Sequence, residues 1–496
     1  MTELDPFPLP FRTAHVSVLA PARTVRELEM MRMSASIRAK PEWYRKYQDA
    51  EIVARWSREA AEQGMTQAQI RYVLDELEYY DDLRDAERGI EVSAVDGVWQ
   101  SDSLIDEDLR KRLAEAVRVL EDVPSTELDW HPGSDEQVLD LVHPSMYCLV
   151  RGVSVPEDAP WPVLDKKDER ASLSKHFQWL PTDVEVGDDG SVAFLSYVNN
   201  VDPERHQELA AVLPEIFGAT LPLLENVLTD LRAPKRVRIE ADPFSWYGDT
   251  EPQPPEDDDD DAAEEAYEEA MEKWWEERRP TIPDAPEFER PERDATRAVT
   301  LGGRRLQVIV KLANIHLTPD KPDYYGGSWH VEAMLNERIV ATAIYYWDSD
   351  NITESLLGFR TAIDEPEYEQ NDNNGVSDVY GLDDEDPLNQ ELGSVRTTTG
   401  RCVAFPNIYQ HRVAPFRLDD PTREGHRKIV AFFLVDPSVT ITSTADVPPQ
   451  QPWSPTSTMT RAQAEGFREQ LMHERKFFVD EHNEEYFERE FYLCEH

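Results

Sequence analysis

The second half of this 496-residue sequence contains four apolar runs that are rich in β-branched and aromatic residues. Such runs favour strands, because branched and aromatic side chains pack well on a pleated surface. The last run is apolar without interruption, which is typical of a buried strand. The chain is therefore predicted to build a β-rich core from strands near 306–317, 339–347, 401–406 and 429–435.

Three capping boxes, in which Thr is followed three residues later by Glu or Gln, predict helix starts: Thr24 with Glu27, Thr66 with Gln69, and Thr460 with Gln463. Further helices are predicted after Pro41 and over 106–122. The first 125 residues are therefore expected to be mainly helical, and a last helix is expected to close the chain.

The middle of the chain has weaker signals. Short apolar runs at 138–142 and 192–198 predict strands, two helices are expected at 203–217 and 219–232, and 237–239 resembles a strand. Residues 361–395 are rich in Asp, Asn and Gly and predict a long loop. Residues 249–294 break the composition with prolines, an acidic block within 256–278 and the pair Trp274 and Trp275. They predict a surface insertion, with a partner-binding acidic segment as the alternative.

Charge and cysteine content exclude several classes of protein. The net charge of −49 disfavours nucleic-acid and anionic-membrane partners. No apolar stretch approaches the roughly 20 residues of a membrane span, and the N-terminal residues do not resemble a signal peptide. Three distant cysteines, Cys148, Cys402 and Cys494, cannot form a disulfide framework. A cytoplasmic location is expected, and the oligomeric state is left open.

Three His-x-Glu patterns are present, of which about two are expected by chance among twelve His and one hundred acidic residues: His206 with Glu208, His330 with Glu332, and His482 with Glu484. Two of these lie in helix-like stretches, where a spacing of two splays side chains apart. His330 and Glu332 lie in an extended segment between strands, where residues two apart point the same way. They are the candidate metal ligands.

A third ligand and an anion-binding cation follow later in the chain. His411 comes after a short apolar strand, and two His with one carboxylate suit non-haem Fe(II) with open coordination positions. Arg427 enters the last strand, and its planar fork can bind a carboxylate bidentately. Lys428 is the alternative, and only one of these neighbours can face inward.

These residues carry a resemblance. His330-Val-Glu332 and the later pattern from Gly400 through Phe-Pro-Asn407, His411 and Arg427 resemble the Fe(II)/2-oxoglutarate-dependent dioxygenase superfamily, although that family more often has Asp at the position of Glu332. The resemblance implies a double-stranded β-helix, Fe(II) held by His330, Glu332 and His411, and 2-oxoglutarate and O2 as co-substrates, with Arg427 on the far carboxylate. Because halogenating members lack the carboxylate, Glu332 favours hydroxylation or related oxidation.

A closer resemblance covers most of the chain. Segments 40–43, 140–145, 178–182, 196–200 and 327–332 are similar to a large, mostly fungal family of uncharacterised proteins, which implies a shared architecture but no particular substrate. Asn314 is a second candidate for co-substrate binding, and three residues are candidates for a substrate pocket: Tyr325, Trp329 and Arg360. His143 is a pocket candidate for which a buried structural role is simpler, and His131 is expected in a turn.

The predicted architecture is α+β: a helical region over 1–125, a double-stranded β-helix (jelly-roll or cupin-like) region over 126–440 with the insertion at 249–294, and a linker and helix over 441–496. The expected function is oxidation of an unactivated C–H bond in a small molecule. Oxidation of protein side chains, as in Jumonji-type members, and a non-catalytic β-barrel are the alternatives.

Overall fold

A computed structural model describes residues 4–11, 19–162, 173–233, 236–248, 250–255, 261–292, 294–370 and 372–492. The acidic run at 256–260 and Cys494 lie outside the described residues. In this part of the chain the α-helices are α1 Val25–Arg38, α2 Trp43–Lys46, α3 Ala50–Glu62, α4 Gln67–Asp82, α5 Glu107–Glu121, α6 Gln207–Arg232, α7 Asp261–Glu277, α8 Asn373–Tyr380 and α9 Arg461–His482.

The strands of the described residues are β1 Glu91–Val92, β2 Trp99–Ser101, β3 Val138–Val142, β4 Leu149–Val150, β5 Phe177–Gln178, β6 Thr182–Val186, β7 Val192–Phe194, β8 Arg305–Leu317, β9 Asp323–Tyr324, β10 Ile339–Asp350, β11 Leu356–Ala362, β12 Asn389–Arg396, β13 Cys402–Pro406, β14 Gln410–Val413, β15 Phe416–Arg417 and β16 Gly425–Val435. A large sheet has the order β1-β2-β13-β10-β16-β8-β6-β7, with β3 also on β8. A small sheet has the order β12-β11-β14, and both are antiparallel.

The three capping boxes mark helix starts as predicted. The Thr24 hydroxyl accepts the Glu27 N–H, and both reciprocal bonds form at Thr66 with Gln69 and at Thr460 with Gln463. The predicted break near residue 218 is wrong, because α6 runs continuously through two internal prolines. Its apolar side chains are buried along the helix, and Gly218 instead lets β7 approach, since a Cβ there would lie 3.1 Å from Val192 Cγ2.

Among the described residues, α6 is the one helix long and apolar enough to span a membrane. In its most apolar window 56% is buried, with α5, β7, β10 and β13 as neighbours, which is the position of a core helix. Two other predictions are corrected. Residues 237–239 are not a strand, and the predicted loop at 361–395 contains α8, β12 and the end of β11.

The large sheet separates two apolar layers. On β16, Val430, Phe432 and Leu434 pack in the cluster that contains α4, α5 and α6. The alternate residues Ala431 and Phe433 pack in the cluster that contains the small sheet. Both faces of the central strands are therefore covered, which explains why their sequences are continuously apolar.

A charge network of buried arginines around the partly exposed carboxylate of Asp96 ties the N-terminal helices to the rest of the chain. Arg238 contacts Asp96 at 2.7 Å and Glu76 at 3.1 Å, and Arg38 contacts Asp96 at 2.9 Å. The Tyr80 hydroxyl also donates to Asp96 at 2.7 Å. Although burial alone would raise it, the Arg238 and Arg38 guanidiniums hold the pKa of Asp96 well below its usual range.

We predict that Asp96→Asn lowers the free energy of unfolding at pH 7 by about 3 kcal/mol, because it leaves Arg238 and Arg38 with one charge fewer. A depressed carboxyl pKa stabilises the fold above the unfolded pKa of about 3.9, and this stabilisation is lost as the pH falls below that value. Chemical denaturation should therefore show a constant gap between the variant and the wild type from pH 8 to about 5, which narrows below about pH 4.

Asp75→Asn is the matched control, because its pair with Arg71 is exposed on α4 at 3.8 Å. We expect it to change stability by less than about 0.5 kcal/mol. A gap for Asp96→Asn that persists unchanged down to pH 3 would contradict the assignment of the depressed pKa.

Candidate metal centre

Main-chain pairing brings the two candidate His ligands together. The His330 N–H donates to the His411 carbonyl at 3.2 Å, and the His411 N–H donates to the His330 carbonyl at 3.0 Å. His411 lies on β14 and also pairs with Phe359 of β11. The segment of His330 therefore extends the small sheet beyond β14, and directly paired residues present their side chains on the same face.

The three predicted ligands converge. One ligand atom from each of His330, Glu332 and His411 lies within 4.8 Å of the others. Glu332 Oε1 lies 3.3 Å from His411 Nε2 and 4.0 Å from His330 Nε2. Ligands about 2.1 Å from an octahedral ion and at right angles to each other lie about 3 Å apart, so small side-chain adjustments would give a facial set.

The electrostatics favour the ligating protonation state at two of these residues, His330 and Glu332. Burial, with a smaller effect of His411, lowers the pKa of His330 to about 4, so its ring is neutral at pH 7. Burial would raise the pKa of Glu332, but the hydrogen bond and charge of His411 hold it at about 2. The His330 Nδ1 faces the Ser328 carbonyl at 2.9 Å, and a donated proton there leaves Nε2 free.

The site is open on one side. The His411 side chain is 5% exposed and lies against Phe405 and Phe359, whereas the His330 side chain is 37% exposed. A metal held by these ligands would have apolar rings behind it and access for small molecules in front.

Asn407 fixes the main chain at Glu332. Its Oδ1 accepts the Glu332 N–H at 2.8 Å, and its Nδ2 donates to the carbonyls of Glu332 and Ile339 at 3.1 and 3.0 Å. Asn407 is fully buried. The sequence contained a signal for it in the Phe-Pro-Asn pattern, but not its role.

Arg427 is buried on the same side of the large sheet as the candidate ligands. It pairs with Ile315, and strand alternation places its side chain on the same face of β16 as Ala431 and Phe433. Its Nη1 donates to Ser355 Oγ at 2.9 Å. The rings of Tyr346 and Phe416 lie 5.5 Å from its Cζ. Among the described residues its guanidinium forms no ion pair with a carboxylate, and its Nε has no hydrogen-bond partner. Burial lowers the pKa of Arg427, as expected for a cation without a counter-ion.

Asn314 does not face this site. It pairs with Lys428, one residue away from the pair Ile315 and Arg427, and therefore points to the opposite face of β8. Its Nδ2 donates to Glu121 of α5 at 2.6 Å, and Lys428 contacts the same carboxylate at 2.8 Å. The expectation that Asn314 binds a co-substrate is corrected, because strand alternation turns it toward the helices.

The predicted pocket residues do not gather at the candidate ligands. Trp329 and Arg360 lie on the outer face of the small sheet, where the Arg360 Cζ is 5.0 Å from the Trp329 ring and its guanidinium contacts Glu488 at 2.6 Å. Each alternates with an inward-facing neighbour, His330 or Phe359, so neither can point inward as well. Tyr325 is 84% exposed and lines a surface groove next to Ser328.

Lys311 also faces inward, although the sequence did not identify it as a candidate site residue. Lys311 pairs with Ala431, on the face of β8 that looks toward the small sheet. Its charge contributes to the lowered pKa values of both His330 and Glu332. The signal was present, because Lys311 is a lone charge inside the long apolar run of β8.

The fold and the site define a mixed helix-and-sheet protein with a His/Glu/His candidate metal centre between two antiparallel sheets. The chain belongs to the family described as protein of unknown function (DUF4246), whose model matches residues 67–456, and the N-terminal domain model of the same family matches residues 2–59. No curated protein matches the chain.

Similar solved structures include oxygenases. One is the Fe(II)/α-ketoglutarate-dependent dioxygenase TqaL, with 11% identity over 67% of this chain and 76% of that chain and a TM-score of 0.28. Another is a rice dioxygenase for auxin oxidation, with 12% identity over 73% and 79% of the two chains and a TM-score of 0.26. These likenesses are distant in both sequence and structure.

We predict that Asn407→Ala destabilises the protein by about 3 kcal/mol, because it leaves one N–H and two carbonyls buried without partners. It should also weaken metal binding about 10- to 100-fold, since Glu332 loses the contacts that position it. Thermal unfolding and calorimetric titration with Mn2+ measure the two effects. The control is Asn351→Ala, which removes a similarly bonded but exposed side chain. Metal affinity equal to the wild type in Asn407→Ala would contradict the positioning role.

Proposed function

We propose that this protein is a non-haem Fe(II)- and 2-oxoglutarate-dependent oxygenase that hydroxylates, or otherwise oxidises, an unactivated C–H bond of a small organic substrate. The observation that carries the proposal is a combination in one inter-sheet space. A His/Glu/His set open on one side lies on the small sheet. The buried guanidinium of Arg427, which has no carboxylate partner among the described residues, projects from the face of the large sheet that looks toward the small sheet.

The strand order supports a double-stranded β-helix as the core. Along the chain, β8 is followed by the segment of His330, then by β10, β11, β12, β13, β14 and β16. The pairs are nested: β8 pairs with β16, the segment of His330 with β14, β10 with β13, and β11 with β12 in the innermost hairpin. This nested pairing is the pattern of a jelly roll, in which a long hairpin folds over into two sheets.

The residues fit Fe(II). Two neutral imidazoles and one ionised carboxylate form the donor set of non-haem Fe(II) oxygenases, and three positions remain open for small ligands. Glu332 is held ionised and His330 neutral, so no proton needs to leave either group before metal binding at pH 7. Bound there with 2-oxoglutarate, Fe(II) would activate O2, and oxidative decarboxylation to succinate and CO2 would supply the electrons for C–H oxidation.

The chain's own residues have separate tasks. His330, Glu332 and His411 hold the metal, and the Asn407 amide keeps Glu332 in place. Arg427 binds the carboxylate of 2-oxoglutarate that lies away from the metal, by donating hydrogen bonds to it, and the Ser355 hydroxyl fixes the direction of its guanidinium. The phenyl rings beside His411 keep water away from the reacting groups, which limits unproductive oxidation of the protein.

We predict that anaerobic addition of Fe(II) and 2-oxoglutarate produces a weak visible charge-transfer band in the wild type. His330→Ala should abolish the band, because it removes a ligand. Arg427→Met should weaken 2-oxoglutarate binding on the order of 100-fold, since the carboxylate loses its paired charge. Absorption titration with 2-oxoglutarate gives both the band and the dissociation constant.

Arg360→Met is the matched control, because Arg360 is a buried arginine on the outer face of the small sheet. It should leave the band and the dissociation constant unchanged. Iron binding without a band in the wild type would rule out 2-oxoglutarate as co-substrate. A protein that binds no Fe(II) would contradict the metal assignment itself.

A further inference from the structure

A second His/carboxylate/His group lies outside the candidate iron site. One ligand atom from each of His131, Asp140 and His143 lies within 4.8 Å of the others. Asp140 and His143 come from β3 and the residue after it, and His131 lies across a tight hairpin, with its N–H donating to the Val138 carbonyl at 2.8 Å. From the sequence His131 is expected in a turn and His143 in a buried structural role, and the structure brings the two together.

A β-bulge makes this convergence possible. Residues three apart in a regular strand point to opposite faces. The register of β3 on β8 shifts between Asp140 and Val142, so one extra residue is accommodated there. Asp140 pairs with Ala313 on the inward face of β8, and after the bulge His143 returns to the same side. Bulges of this kind commonly re-aim side chains at functional sites.

One oxygen of the buried Asp140 carboxylate lacks a hydrogen-bond partner among the described residues. Its side chain is fully buried, and its Oδ2 faces His131 Nδ1 at 2.8 Å. Its Oδ1 is buried and has no hydrogen-bond partner among the described residues. Burying an ionised carboxylate with a bare oxygen is costly, and a cation bound to that oxygen would remove the cost. The Ser145 N–H donates to His143 Nδ1 at 3.2 Å, which holds the imidazole of His143 in place.

The group also has an entry path through His131. This residue is 27% exposed and lines the same surface groove as Tyr324 and Ser328, with a volume of about 680 Å³, while Asp140 and His143 are buried. The Arg468 guanidinium nearby is neutralised by Asp129 at 2.6 Å. The Lys311 charge contributes to the electrostatics of this group as well as to that of the candidate iron site.

We propose that His131, Asp140 and His143 form a second metal site, for a divalent first-row transition ion such as Zn2+, distinct from the His330 site. Two imidazoles and one carboxylate are a common ligand set for Zn2+, and a water molecule from the groove would complete a tetrahedral shell. The site does not depend on the proposed oxygenase activity, because no residue is shared.

The test counts bound ions. The full chain is stripped of metal, titrated calorimetrically with Zn2+ and analysed by elemental mass spectrometry after dialysis. The wild type should bind two equivalents, Asp140→Asn one, His330→Ala one, and the double variant none. Asp135→Asn, an exposed acid in the same groove, is the matched control and should keep two equivalents.

Two equivalents in a folded Asp140→Asn protein, or a single equivalent in the wild type that His330→Ala removes, would overturn the proposal. If thermal unfolding shows that Asp140→Asn does not fold, His131→Asn at the rim replaces it and should weaken the second equivalent by more than about 10-fold. If His330→Ala binds two equivalents and Asp140→Asn binds one, the second metal site is supported, and the assignment of His330 as a metal ligand in the proposed function is contradicted.

Discussion

The antiparallel pairing of His330 with His411 is the contact on which the candidate site depends. Two main-chain hydrogen bonds join segments that are far apart in sequence, and direct pairing places both imidazoles on one face of the small sheet, with ring centroids 4.4 Å apart. The pairing itself requires β11, because β14 is held from its other side by Phe359 and its neighbours. The convergence of the three candidate ligands is therefore a consequence of sheet assembly, and no local segment could supply all three alone.

The parts of the fold that the sequence predicted are those specified locally. The capping boxes act within four residues, and the four long strands carry their own signal because both faces of the large sheet are covered. The helix α8 and the strand β12, which is an edge strand of the small sheet, gave no such signal. Their segment is rich in Asp, Asn and Gly residues, which also favour loops. In α6, burial along the helix outweighs the low helix propensity of Gly218, where the sequence predicts a break.

Strand parity explains which site residues could be predicted. His330 and Glu332 share a face whatever the register, so a spacing of two was informative. Asn314 and Arg427 lie on different strands, and whether they face each other depends on a register that the sequence alone does not give. The structure pairs Arg427 with Ile315, which turns Asn314 away. The same parity turns Lys428 toward Glu121, consistent with the expectation that only one of the two basic neighbours faces inward.

The use of Glu332, where the resembling superfamily more often has Asp, has a structural counterpart in Asn407. A Glu side chain has one more rotatable bond than Asp and loses more conformational entropy when it is fixed. Asn407 bonds the main chain of Glu332 on both its N–H and its carbonyl, and Ala333 immediately afterwards takes a left-handed conformation with φ of 63°. The main chain is therefore held on both sides of the Glu332 Cα, and only the side-chain torsions remain to be fixed. The His411 contact at 3.3 Å constrains these torsions, so the Glu332 carboxylate is held beside the two histidines by a fixed backbone and a restrained side chain.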